Sequence, residues 1–297
     1  MKLARFSYSK TTSYGVLIED QIVCLPTLAK TLKHIIPTTF EALIVKNMDE
    51  QTIESMIQKA NKATIEKATL PLQKVKLLAP IKTPPKIICL GLNYKDHAAE
   101  QGKTTPDEPV IFMKPYTSII GQNENIVKPR FVKQLDYEAE LAIIIGKEAK
   151  SVSVNEAESH IFGYTILNDV SARDIQFKDK QWTRGKSFDT FAPSGPCITT
   201  ARQMKDPTKL QIRTWVNREL RQNSTTQNMA FNVFEIVYHL SRVMTLKPCD
   251  VIATGTPAGV GFAMKPEPKF LQDGDVVEVE VEGIGVLRNT VLEERGW

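Results

Sequence analysis

Three carboxylates carry the clearest chemical signal in the sequence. Two stand in the run Leu135-Asp136-Tyr137-Glu138-Ala139-Glu140-Leu141-Ala142-Ile143-Ile144-Ile145, which has high β content. Side chains alternate along a strand, so Glu138 and Glu140 share one face. The apolar residues after them carry the strand into a core. Two carboxylates side by side at the mouth of a core repel each other and lose hydration, and a cation relieves both penalties. A third carboxylate, Asp169, closes another strand-like run, GYTILND. Oxygen-only ligands suit Mg²⁺ or Mn²⁺, with Ca²⁺ also compatible, better than zinc. Three such ligands leave octahedral positions for water or a chelating substrate. Taken alone, a Glu-x-Glu pair also fits an exposed strand face matched by lysines.

A second pair lies in Lys95-Asp96-His97-Ala98-Ala99-Glu100. One helical turn would bring His97 and Glu100 to the same side. Gly91 and Gly102 flank this segment and are hinge candidates. Thr254-Gly255-Thr256-Pro257 follows a strand-like run, with Gly259 and Gly261 beyond. A Gly-rich loop there lets backbone N–H groups approach an anion, and the lack of GKS or GKT excludes a nucleotide P-loop. His34, His160 and His239 have no comparable context and read as structural.

The elements that must position these groups fall into two parts. Residues 1–70 form a small α+β module: KLARFSY and YGVLIEDQIVCL are short strands, the latter turning at Glu19-Asp20, and residues 27–66 carry helical patterns. Residues 71–85 read as a proline-rich extended linker. The larger part spans 86–297. There KIICLGLNY, QLDYEAELAIIIG, LQIRTWVNREL, DVIATG and DVVEVEVEGIGVLRNTVL read as strands, with a hairpin turn at Arg218-Glu219. VNEAESHIFGYTILNDVS begins as a helix capped near Asn155, and AFNVFEIVYHLSRVM is amphipathic at helical spacing. Many strands, few helices and many Gly/Pro turns predict an α+β, β-rich roll or barrel with helices outside it. No internal repeat is visible.

Composition narrows the function classes. A chain of 297 residues with 42% hydrophobic and 24% charged residues supports a large core and excludes general disorder. The 38 basic and 34 acidic residues give a formal charge of +4 with no dense Lys/Arg block, so no nucleic-acid partner is expected. The four cysteines form no CxxC pair, which argues against zinc or a disulfide framework and for reduced thiols in a cytoplasmic protein. No apolar segment follows the N-terminal MKLARFSYSK and none is long enough to span a bilayer, so neither a signal peptide nor a membrane partner is expected.

From about Ile87 onward the chain resembles the fumarylacetoacetate hydrolase superfamily. The matching motifs are GLNYKDHAAEQG (91–102), PVIFMKP (109–115), LDYEAELAIIIGKEA (135–149), FGYTILNDVSARDIQ (162–176), KSFDTFAPSGP (186–196) and VIATGTPAGVG (251–261). The resemblance implies a β-roll catalytic domain, usually in a homodimer, and many members carry a small N-terminal module like residues 1–70. It implies that Glu138, Glu140 and Asp169 bind Mg²⁺ or Mn²⁺, and that the metal chelates the 1,2-dioxo end of a small 2-oxo or 1,3-diketo acid. In hydrolytic members a His/Glu pair on a lid helix activates water, the role this implies for His97 and Glu100. Lys186 would face the substrate carboxylate or a developing enolate. Arg173 would hold a carboxylate through its planar fork, or instead form a structural salt bridge to Asp174 or Glu140. Gln176 would hydrogen-bond an oxo group, and Thr254, Gly255 and Thr256 an anion. Cys249 stands in LKPCD where relatives commonly have Gly, so a positive φ there would strain it.

The expected activity is metal-dependent cleavage of a C–C bond next to a 2-oxo acid, as acylpyruvate hydrolysis or oxaloacetate decarboxylation. An isomerase or decarboxylase of 2-hydroxymuconate-type dienes shares the metal triad and is the alternative. A non-catalytic metabolite- or protein-binding member is the alternative of another class, and retention of all three carboxylates with His97, Glu100 and Lys186 weighs against it. Specificity is expected in segments 94–108, 177–185 and 262–270.

Overall fold

The strand Ala139–Ile145 lies at the centre of the fold, and all seven of its residues are buried. Leu141, Ile143 and Ile145 join one apolar cluster, Ala142 and Ile144 another. The split follows from the two-residue period of a strand, so this strand has core on both faces. Each fully buried Ile or Leu there contributes about 1.5–3 kcal/mol. The computed structural model describes residues 1–295; positions 296 and 297, the end of the expected catalytic part, lie outside the described residues.

Ala139–Ile145 pairs antiparallel with Ile161–Asn168 on one side and Val251–Ala253 on the other. The sheet continues from Val251–Ala253 to parallel Ile87–Gly91 and then Val110–Lys114. In the other direction Ala192–Thr200 follows Ile161–Asn168, and the N-terminal strand Lys2–Tyr8 pairs with it through Leu3 and Ile198. Thr11–Ile18, Gln21–Cys24 and Thr69–Pro71 extend this sheet, which has twelve strands in all. A second sheet of five strands runs Glu219–Thr225, Gln211–Val216, Val276–Val281, Gly285–Glu293 and Asn125–Lys128. The protein is strand-rich and mixed α+β.

Each core cluster is closed by a different layer. Val277, Val279 and Leu287 of the second sheet join Leu141 and Ile143, together with Ile236 and Leu240 of the helix Val233–Val243. That helix buries Val233, Ile236, Val237 and Leu240, one stripe at helical spacing. Asn232 caps it, accepting from Phe234 and Glu235 N–H, while Glu235 reaches back to Asn232. The other cluster takes Leu25, Leu28, Leu43, Ile53 and Met56 from the N-terminal helices. No helix among the described residues is long and apolar enough to cross a membrane.

Several local expectations shift. The run 135–145 breaks into Leu135–Asp136, paired with Ser171–Ala172, and Ala139–Ile145. The Glu138 N–H donates to the Asn168 side chain at 3.0 Å instead of entering the ladder. The helix expected near Asn155 is capped by Ser153 in a box with Glu156. The hairpin turn is Asn217-Arg218, both at positive φ, one residue earlier than expected. Within 71–85, Lys76–Leu77 is a short strand on Phe6 and Ser7. Cys249 does adopt the expected positive φ, at 71°.

Candidate metal centre

Glu138, Glu140 and Asp169 are buried, and one oxygen of each lies within 4.8 Å of the others. Local structure produces this directly. Ala139 sits opposite Asn168, so the residues flanking those two positions are neighbours across the strand pair. The Asp169 N–H donates to the Glu138 carbonyl at 2.9 Å, which locks the two acids side by side. Glu140 lies on the strand Ala139–Ile145, two residues after Glu138, which immediately precedes that strand.

Three buried cations meet this cluster. Lys186 Nζ lies 2.7 Å from Glu138 Oε2 and 2.8 Å from Asp169 Oδ2. Lys114 Nζ lies 2.5 Å from Asp169 Oδ1. Arg173 Nη1 lies 2.6 Å from Glu138 Oε1, and its Nε donates to Asp136 Oδ2 at 2.9 Å. Burial pushes the Glu138 carboxyl up, but Lys186 and Arg173 outweigh it and hold the group down at about 2. Burial raises the Glu140 carboxyl too, and there Asp169 and Glu138 add to the rise, so it lies well above the carboxylate range.

Glu140 is therefore the acid left over. Asp136, Glu138 and Asp169 each have a Lys or Arg partner. Glu140 instead accepts the Gly255 N–H at 2.7 Å through Oε2, and its buried Oε1 has no partner among the described residues. Four buried carboxylates against three cations, with one oxygen of the cluster left unpartnered, fit a hard divalent cation. Glu138, Glu140 and Asp169 would hold it.

A short helix, Lys95–Glu100, carries His97 to the cavity that Glu138 also lines. His97 Nδ1 lies 3.0 Å from Glu100 Oε2, and Glu100 Oε1 accepts the Gly259 N–H at 2.8 Å. One acid thus ties the imidazole to the Gly-rich loop. Asn93, just before the helix, donates to the Phe231 and Thr254 carbonyls at 3.0 and 2.8 Å. That cavity has a volume of about 90 Å³ and is lined by His97, Gln101, Lys103, Glu138, Arg173, Gln176, Lys186 and Thr256 with Phe112, Phe177, Trp182 and Phe262. All three segments expected to carry specificity reach it.

Several site expectations change in detail. The Gly255 and Gly259 N–H groups, expected to face an anion, are bonded to Glu140 and Glu100. The Thr254 hydroxyl donates to the Leu141 carbonyl, so Thr254 braces the strand. Thr256 does line the cavity, its hydroxyl accepting from Gln222. Arg173 pairs with Asp136 and Glu138, not with Asp174 or Glu140. Its Nη2 is buried without a partner, and the residue lines the cavity. Gln176 accepts from Arg173 Nη1 at 2.9 Å.

Lys114 and Asp136 were given no role from the sequence, and Gln101 and Phe262 were placed only within segments 94–108 and 262–270. Lys114 ends an apolar strand inside a quoted motif, and a lysine so placed needs a buried acid. Asp136 accepts the Gly261 and Phe262 N–H groups at 2.7 and 3.0 Å besides Arg173. Phe262 lies under the Arg173 guanidinium at 4.6 Å. Gln101 stands four residues after His97, a spacing that marks a helical neighbour.

The strand-rich α+β fold thus gathers three buried carboxylates that could hold a metal ion, with His97 of the His97–Glu100 pair on the same cavity as Glu138. Residues 86–292 match the family described as fumarylacetoacetate (FAA) hydrolase C-terminal, and residues 1–80 match Rv2993c-like, N-terminal. The chain belongs to the fumarylacetoacetate hydrolase superfamily. It is 45% identical over 225 residues to the mitochondrial oxaloacetate tautomerase FAHD2B of Bos taurus, covering 75% of this chain and 71% of that one. Among solved structures, a fumarylacetoacetate hydrolase from Exiguobacterium antarcticum superposes with TM-score 0.83 at 39% identity, covering 99% of this chain and 100% of that one. The maleylpyruvate hydrolase of Sphingobium sp. SYK-6, solved with manganese(II) and pyruvate, superposes with TM-score 0.79 at 31% identity over the same shares.

Proposed function

We propose that the protein is a divalent-metal enzyme that forms or protonates an enolate next to the 2-oxo group of a small 2-oxo acid, with oxaloacetate as the leading substrate. The observation that carries this reading is the buried cluster of Glu138, Glu140 and Asp169, with one Glu140 oxygen unpartnered among the described residues, beside a cavity lined by Glu138 and His97. Mg²⁺ or Mn²⁺, held by those three acids, supplies chelation of the 2-oxo carboxylate and positive charge where an enolate develops.

The chain's own groups do the rest. Lys186, buried against Glu138 and Asp169, is kept charged: burial disfavours its ammonium, but the two carboxylates outweigh that and raise its affinity for the proton. It offers that charge to the oxygen side of the substrate. Arg173 is fixed by Asp136 and Glu138, which leaves Nη2 for a substrate carboxylate. Gln176 is aligned by Arg173 and lines the same wall. His97, oriented by Glu100, takes or returns the proton at the carbon next to the oxo group or at a water. Phe112, Phe177, Trp182 and Phe262 limit water at the mouth.

With oxaloacetate these groups support keto–enol interconversion, the activity in the bovine relative's name, or loss of CO₂. A second reading, hydrolysis of an acylpyruvate, is favoured by the His97–Glu100 bond, which prepares a base for water, and by the likeness to a maleylpyruvate hydrolase. Protein loaded with Mg²⁺ is to be assayed on enol-oxaloacetate, keto-oxaloacetate, acetylpyruvate and a hydroxymuconate-type diene. We expect metal-dependent conversion of oxaloacetate, lost in Glu138→Gln. Turnover of none of the four overturns the reading, and diene isomerisation alone redirects it to the isomerase alternative.

A further inference from the structure

The segment after the lid helix holds an amide whose orientation is determined by its neighbours. Gln101 Oε1 accepts from Lys103 Nζ at 3.2 Å, and Gln101 Nε2 lies 2.8 Å from His97 Nε2. An ammonium only donates, so the amide carbonyl faces Lys103 and the NH₂ faces the imidazole. His97 Nε2 must then accept. The ring proton sits on Nδ1, donated to Glu100 Oε2 at 3.0 Å. Turning the amide over would set its NH₂ against an ammonium and its oxygen against a lone pair. The nitrogen through which His97 takes a proton is thus covered by Gln101, and Lys103 keeps it covered.

Lys103 also differs from the other cations of the cavity. Arg173 and Lys186 are buried and paired with carboxylates. Lys103 lines the cavity, is exposed, and among the described residues has no carboxylate within 4.0 Å. It is an exposed cation of the lining, placed to meet an incoming anion.

We propose that Lys103 and Gln101 form a charge-gated cap on His97, and that a second anionic group on the substrate opens it. The distal carboxylate draws Lys103 away, the amide loses the contact that orients it, and Nε2 becomes accessible to the reacting proton. Lys103 and Gln101 are positioning residues here, and the substrate class they select is a 2-oxo acid with a second carboxylate. This rests on the proposed 2-oxo acid chemistry, but its first test does not need turnover.

Metal-loaded protein carrying ¹⁵N-histidine is to be observed by NMR, with the His97 signals assigned by their loss in His97→Gln. The free protein is expected to show a bare, hydrogen-bonded Nε2 and a protonated Nδ1. Adding 2-oxoglutarate should shift Nε2 where pyruvate does not, and Lys103→Met should abolish that difference. A protonated Nε2 in the free protein, or equal shifts with both probes, overturns the proposal. Kinetics give a second readout. In Lys103→Met, kcat/KM for oxaloacetate should fall about tenfold relative to that for acetylpyruvate. Gln101→Leu, which leaves Nε2 uncovered, should raise kcat on acetylpyruvate and shrink the advantage of the dianion. Equal losses on both substrates in both variants contradict the cap. If no 2-oxo acid is turned over but the selective Nε2 shift persists, the functional reading fails and the cap stands.

Discussion

Glu140 sets one carboxylate oxygen 2.7 Å from the amide nitrogen of Gly255 and leaves the other buried with no partner. The first contact aims the side chain. The second makes the ionised form costly, because burial, Asp169 and Glu138 all oppose it. A cation removes that cost, so the site links metal, proton and stability.

Metal binding should release a proton. Glu140's carboxyl lies above its ordinary range in the folded protein, so it holds a proton at pH values where the unfolded chain has lost it. Its contribution to stability is then full below the unfolded value and is lost as pH rises toward the folded one. A bound cation requires the carboxylate, so affinity should rise with pH and level off above the folded value. Calorimetric titration with Mn²⁺ in two buffers of different ionisation enthalpy should report proton release that grows as the pH is lowered below the folded value, up to about one per ion. Equal heats in both buffers would contradict this.

Glu140→Gln should separate metal binding from folding. The amide oxygen keeps the Gly255 contact, and the repulsion from Glu138 and Asp169 disappears. The melting temperature of metal-free protein should stay the same or rise. The stabilisation that wild type gains from Mn²⁺, about 2.7 kcal/mol at a hundredfold excess over Kd, should vanish. A large drop in the metal-free melting temperature would show that Glu140 serves the fold.

The grouping of Glu138 and Glu140 was legible in the sequence because their two-residue spacing and the switch to Leu-Ala-Ile-Ile-Ile mark their entry into the core, although Glu138 stands just outside the strand. The His97–Glu100 contact was legible from helical spacing. The donors of Gly255 and Gly259 were not, because a Gly-rich loop shows that backbone can come close to an anion without saying which one. Here the anions are the chain's own Glu140 and Glu100. Lys114 escaped notice because its acid, Asp169, stands 55 residues away and only strand order joins them. Cys249 was legible in the opposite sense, its positive φ marking a turn that glycine would occupy without strain.

Lys114→Met should destabilise the metal-free protein more than loss of an exposed lysine. It strips Asp169 of one of two buried cations and the Val170 carbonyl of a donor. Breaking a buried pair costs about 3–5 kcal/mol. Urea unfolding with and without Mn²⁺ measures it, and a bound cation should restore part of the loss. A change below about 0.5 kcal/mol, typical of surface substitutions, would show that Lys114 does not neutralise Asp169.

Glu100→Ala should damage catalysis while sparing the metal site. It removes the Nδ1 acceptor of His97 and the lid's bond to Gly259. Positioned acid–base catalysis is worth about 10²–10⁴-fold, so kcat should fall by about two orders of magnitude or more. The Mn²⁺ Kd, measured on the same variant, should not move. Equal losses in kcat and metal affinity would mean that the helix supports the cluster and not the proton transfer.

The central claim is that Glu138, Glu140 and Asp169 hold a divalent cation with open positions for a 2-oxo acid. Electron paramagnetic resonance of Mn²⁺ titrated into the protein, with and without oxalate as the chelating mimic, tests it most directly. The account predicts one bound ion per chain, tighter binding and a changed spectrum with oxalate, and loss of both in Glu140→Gln. Binding that is absent, or undiminished in Glu140→Gln, would contradict it.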